Sequence, residues 1–87
     1  MEMNQIIFDV REPDEFEVGH LRNAINFPLG SISVDSPQLR EVKKDTAIIV
    51  YCQSGGRADA ASNRLKKIGF SNVINGLNQS NIEENHI

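Results

Sequence analysis

The sequence has one cysteine, no tryptophan, few aromatic residues and no long apolar run. Each shortage excludes something. A lone cysteine cannot close an internal disulfide, so no disulfide framework supports the fold. It also excludes Cys-x-x-Cys redox chemistry and a cysteine-based zinc site. The want of a basic stripe and of clustered aromatics excludes nucleic acid as a partner. No apolar stretch is long enough to span a bilayer, and the N-terminal MEMNQ lacks the basic-then-apolar pattern of a signal peptide. The expectation is a cytoplasmic protein with no membrane partner. With 9 basic and 12 acidic residues in 87, the net charge of −3 is mild and unclustered. The length suits a single domain over 1–87 that buries about 60–65% of the surface of its unfolded chain.

What is present alternates. Gln5 to Val10 (QIIFDV) and Thr46 to Tyr51 (TAIIVY) are apolar on both faces, as suits strands covered from both sides in a parallel sheet. Ala24 to Phe27 and Asn72 to Asn75 are shorter strand candidates. Pro13-Asp14-Glu15 places proline and acids in a first helical turn, with Gly19 as the stop. Ser36-Pro37, followed by Leu39 and Val42 and then Lys43 and Lys44, predicts another helix. The clearest helix follows the cysteine: Ala58, Ala61, Leu65 and Ile68 share one face, and Gly69 ends it. Strand and helix in alternation predict an α/β fold, a small open and mostly parallel sheet of four to five strands with helices on both faces.

The chemistry gathers at VYCQSGGRA, residues 50–58. Cys52 lies at the carboxyl end of the best strand, the edge where open α/β sheets bind ligands. Gln53, Ser54, Gly55, Gly56 and Arg57 lead from it into a helix N-terminus. There, unpaired amides and the helix dipole favour negative charge. Glycines let successive amides curl around one atom, so a thiol among them ionises more readily. Arg57 adds a full positive charge. The loop reads as a holder for an anionic sulfur and a small anion beside it.

Two blocks carry a family resemblance. Asp9, Val10, Arg11, Glu15, Phe16, Gly19, His20, Leu21, Ala24, Asn26 and Pro28 form the first; Cys52, Ser54, Gly55 and Arg57 form the second. Together they resemble a single-domain rhodanese of the thiosulfate sulfurtransferase-like family. The resemblance implies a rhodanese-like fold and a sulfur relay needing no cofactor and no metal. Cys52 would take a sulfane sulfur from a small sulfur-containing anion such as thiosulfate. The resulting persulfide would pass it to cyanide, a thiol or a thiol-bearing protein. With one cysteine in the chain, discharge is expected to be intermolecular.

The remaining motif residues have structural readings. Asp9, at the end of the first strand, is expected to accept amides from neighbouring loops. Arg11 could draw in a donor anion, with pairing to a local carboxylate such as Glu15 as the favoured alternative. His20 is read as shaping the turn after Gly19 rather than as a base for Cys52. His86 is expected to be exposed in a polar tail. The sequence departs from the family near its end, where Gly76 is followed by Leu77-Asn78 with no glycine pair or aromatic. Two other readings stay open. One is a rhodanese-like module that binds or regulates without catalysis. The other is a phosphatase or arsenate reductase relative. Against the latter, such loops have five residues between Cys and Arg, and this one has four.

Overall fold

The computed structural model describes residues 5–85, with the side chains of 83–85 left aside. Four strands, β1 (Gln5–Asp9), β2 (Ile25–Asn26), β3 (Ala47–Tyr51) and β4 (Val73–Asn75), form one sheet in the order β2-β1-β3-β4. Every pairing is parallel, and the register sets Asp9 opposite Tyr51 and Val50 opposite Asn75. The two longest strands are therefore the two central ones. That is where continuous apolarity is expected, because a central parallel strand is covered on both faces. Three helices, α1 (Pro13–Val18), α2 (Gly56–Ile68) and α3 (Gln79–Asn85), alternate with the strands. Among the described residues, no helix is long and apolar enough to cross a membrane.

Strand alternation divides the core in two. Phe8, Val10, Ile48, Val50 and Cys52 face α2 and pack with Ala58, Ala61, Leu65 and Phe70. Ile7, Ile49 and Tyr51 face the other way and pack with Leu21 and with Ile82 of α3. The small side chains of Ala58 and Ala61, both fully buried, let α2 lie close to the sheet. Its end is set by Gly69, whose amide donates to the carbonyls of Leu65 and Lys66. On the opposite face Gly76 serves the same closeness. A Cβ there would stand 2.7 Å from Ile82 Cγ1 and 2.8 Å from Ile49 Cγ2. The polar tail that reads so weakly in the sequence is thus anchored by one fully buried side chain, Ile82.

The sheet has four strands, the lower of the two expected numbers. One expected helix is absent. From Ser36 onward only a single 3-10 turn forms, Pro37–Leu39. Ser36 does not cap it. Its Oγ donates instead to Ser31 O at 2.6 Å and accepts from the Ser33 amide at 2.9 Å. Between Arg40 and Asp45 only Val42 is apolar, so a longer helix would have had no stripe to bury.

Candidate functional site

Cys52 follows the last residue of β3 and is buried against α2. Its own amide donates to Leu77 O at 3.1 Å, which ties the strand end to the segment after β4. Its Sγ accepts the Gly55 amide at 3.0 Å. Gly55 stands in the left-handed region at φ 100°, where it caps α2 and turns the backbone back toward the sulfur. A side chain at 55 would also meet Leu77 Cδ2 at 3.0 Å. Burial of the sulfur opposes its ionisation, but the amides of Ala58, Gly55, Ser54 and Arg57 prevail and hold the thiol below its ordinary pKa. Gly56 does not share this role. It is the first residue of α2, outside the left-handed region, with open space where a Cβ would stand. The expectation that both glycines are needed for the curl is corrected to Gly55 alone.

At the end of β3 lies an open hollow of about 270 Å³. Arg11 and Tyr51 line one side, Cys52 and Gln53 another, and Asn78, Gln79 and Ser80 come from the C-terminal segment. That segment is positioned by its own polar side chains. Leu77, at φ 70°, donates its amide to Asn75 Oδ1 at 2.8 Å. The Asn81 amide donates to Asn78 Oδ1 at 2.8 Å, and Asn81 Nδ2 donates to Gly76 O at 2.8 Å. Sequence reading passed over these residues. The recurring asparagines, which favour such local turns, were the available signal.

Asp9 is fully buried at the end of β1. The Tyr51 hydroxyl donates to its Oδ2 at 2.8 Å, and the Arg11 amide donates to Oδ1 at 3.0 Å. The Arg11 guanidinium completes the set, with Nε 2.9 Å from Oδ1 and Nη2 2.6 Å from Oδ2. Arg11 therefore pairs with a local carboxylate, as expected, but that carboxylate is Asp9, two residues back, rather than Glu15. Nη2 also donates to Gly19 O at 2.8 Å. The hydrogen bond to Asp9 raises the pKa of Arg11. Tyr51 accepts the Leu21 amide at 3.1 Å, and its burial raises its own pKa to about 12. It stays a neutral donor throughout the ordinary range.

Glu15 pairs instead with Arg57, 42 positions along the chain, through Nη1–Oε1 at 2.7 Å and Nη2–Oε2 at 3.0 Å. The hydrogen bond to Arg57 and then the Glu12 amide hold Glu15 at about 2. His20 is exposed, stacks on Phe16 at 3.6 Å and bonds through Nδ1 to Phe16 O at 2.8 Å. It packs on α1 at the turn after Gly19. His86 lies outside the described residues.

Known proteins share this architecture. The family model for the rhodanese-like domain matches residues 1–78. An adenylyltransferase and sulfurtransferase, uba4 of Ogataea parapolymorpha, is 37% identical over 76 residues, which cover 84% of this chain and 19% of that protein. Among solved structures, a rhodanese with anions from E. coli superposes with a TM-score of 0.78 at 29% identity, covering 90% of this chain and 91% of that one. The thiosulfate sulfurtransferase of Pseudomonas aeruginosa gives 0.79 at 33% identity, over 92% of this chain and 15% of that one. The chain spans about half the length, or less, of curated relatives it matches: 52%, 36% and 56% of three of them. A parallel sheet with a cysteine loop at its carboxyl edge, matched by model, sequence and structure alike, places the chain in the rhodanese-like family.

Proposed function

We propose that this chain is a sulfurtransferase that carries sulfane sulfur as a persulfide on Cys52. The observation behind the reading is the sulfur itself. Sγ accepts a loop amide at 3.0 Å and is held by further amides toward the thiolate, and Cys52 forms part of the lining of an open hollow. A thiolate is the nucleophile this chemistry needs. Its electron pair attacks the outer sulfur of a donor such as thiosulfate. A new S–S bond forms, the old S–S bond breaks, and sulfite leaves with the bonding pair. The terminal sulfur then carries the negative charge, and the loop amides are placed to stabilise it. Cyanide or an external thiolate attacks that sulfur next and releases the Cys52 thiolate. The 87 residues contain no second thiol to do so. Four residues between Cys52 and Arg57 make a cup for one sulfur atom rather than for a phosphoryl group.

Intact mass spectrometry tests this. Protein treated with thiosulfate or a small-thiol persulfide gains the mass of one sulfur atom, and cyanide removes it as thiocyanate. Cys52→Ser gains nothing. Thiocyanate production by Cys52→Ser at the wild-type rate would overturn the reading.

A further inference from the structure

Where β4 ends, one side chain holds the sulfur-bearing loop from outside it. Asn75 is the last residue of β4 and stands opposite Val50 in the register. The next amide, that of Gly76, donates to Val50 O at 2.7 Å, so the sheet fixes the backbone from which the Asn75 side chain projects. That side chain reaches two ways. Its Nδ2 donates to Gly55 O at 3.3 Å, and its Oδ1 accepts the Leu77 amide at 2.8 Å. The Leu77 amide can only donate, which settles which end of the carboxamide faces it.

These two bonds close a ring. Leu77 O accepts the Cys52 amide at 3.1 Å, and Cys52 Sγ accepts the Gly55 amide at 3.0 Å. Asn75, Leu77, Cys52 and Gly55 are thus joined in one circuit. Two members have backbones that need holding. Gly55, at φ 100°, has no side chain of its own to fix it. Leu77, at φ 70°, is the non-glycine residue with positive φ among the described residues, a conformation leucine rarely adopts. Asn75 holds the carbonyl of the first and the amide of the second. Burial raises the pKa of the Cys52 thiol, and loop amides, that of Gly55 among them, bring it below its ordinary value. An amide does this only while it points at the sulfur, and here its direction depends on a glycine that would otherwise turn freely.

We propose that Asn75 is a positioning residue for Cys52: by joining Gly55 O to the Leu77 amide it keeps the Gly55 N–H aimed at Sγ. For sulfur transfer this rests on the reading above; for the state of the thiol it stands by itself. The charged side chains that act on or border Cys52 are Arg57 of α2 and Arg11 at the hollow. They are held by Glu15 and Asp9, so removal of the Asn75 carboxamide leaves them in place.

The test follows Cys52 in wild type and Asn75→Ala by alkylation rate against pH and by sulfur loading from thiosulfate, read by intact mass. The alkylation midpoint of Asn75→Ala should move up toward the ordinary thiol value of about 8.5. Its loading near pH 7 should fall roughly threefold to tenfold, and the deficit should close above both midpoints, where either thiol is ionised. Asn75→Gln, whose extra methylene keeps the carboxamide from meeting both partners at once, should shift the midpoint the same way and decides the matter if Asn75→Ala does not fold. A residue that only ties β4 to the loop would lower stability in urea and leave the alkylation midpoint where it was. A wild-type midpoint in a folded Asn75 variant, or a loading deficit equal at every pH, overturns the role of Asn75 and leaves the sulfur-transfer reading standing. A raised midpoint, with wild type taking up no sulfur from thiosulfate or from a small-thiol persulfide, overturns the sulfur-transfer reading and leaves the positioning of the thiol standing.

Discussion

Two neighbouring strand ends hold two buried polar groups, and they do so by opposite means. β1 ends in the Asp9 carboxylate, enclosed by side chains: Arg11 in a fork and the Tyr51 hydroxyl. β3 ends, next to Tyr51, in the Cys52 thiol, held by backbone amides of its own loop. A carboxylate locked by a cation is satisfied and inert, and removing either partner strands a buried charge. Amides stabilise the negative charge of a sulfur without binding it to a fixed counterion, so its electron pair stays available for attack. The first arrangement suits structure and the second suits reaction, although both lie on the same edge of one sheet.

If that contrast is right, the two ends break differently. The largest effect falls on Gly55. Valine there must adopt φ near 100° and displace Leu77, so the amide that reaches Sγ moves away. Gly55→Val should lose sulfur loading by at least two orders of magnitude. Its far-ultraviolet circular dichroism should stay close to wild type. Full loading by this variant would mean that the amide cup is not what serves the sulfur.

Asp9→Ala should behave conversely. It leaves Arg11, only 15% exposed, without its carboxylate, and it orphans the Tyr51 hydroxyl. Urea unfolding should show a loss of about 3 kcal/mol, and Tyr51→Phe a smaller loss of about 1 kcal/mol. A variant of Asp9 that unfolds like wild type but cannot load sulfur would merge the two ends into one catalytic unit.

The thiol itself gives a pH signature. Alkylation of Cys52 should titrate with a midpoint below the ordinary thiol value of about 8.5. A group whose pKa is lowered by folding adds stability above its unfolded pKa and loses it as pH falls through the folded one. Wild type should therefore gain stability over Cys52→Ser as the pH rises past that lowered midpoint, a comparison urea titrations at several pH values would make. A midpoint above 8.5 would show that burial prevails over the amides.

The smallest effect separates the paired glycines. Gly56→Ala meets nothing within 4 Å and stands at a helical position. It should stabilise the chain by about 0.5 kcal/mol and leave sulfur loading intact. A loss of loading as deep as that of Gly55→Val would restore the role first expected of both glycines.

Some of this was legible in the chain itself. The apolar runs Gln5–Val10 and Thr46–Tyr51 marked the two central strands, because only strands covered on both faces are apolar throughout. The spacing of Ala58, Ala61 and Leu65 marked the buried face of α2, and the cysteine-glycine-arginine order marked the loop, since these are local patterns. Pairings across the chain were not local. The sequence offered Arg11 and Arg57 on one side and Asp9 and Glu15 on the other, and proximity along the chain suggested Arg11 with Glu15. Packing of α1 beside the loop assigned Glu15 to Arg57, while Arg11 turned to Asp9, only two residues back along the chain. Likewise the tail is polar in sequence, yet burial of Ile82 against Ile49 and Gly76 brings Asn78, Gln79 and Ser80 to the rim of the hollow. Local composition determined which elements form and where the thiol sits. That Arg57 meets Glu15 was decided by the tertiary fold, because an ion pair depends on distance in space, and the fold brings α1 to the start of α2 across 42 positions of chain.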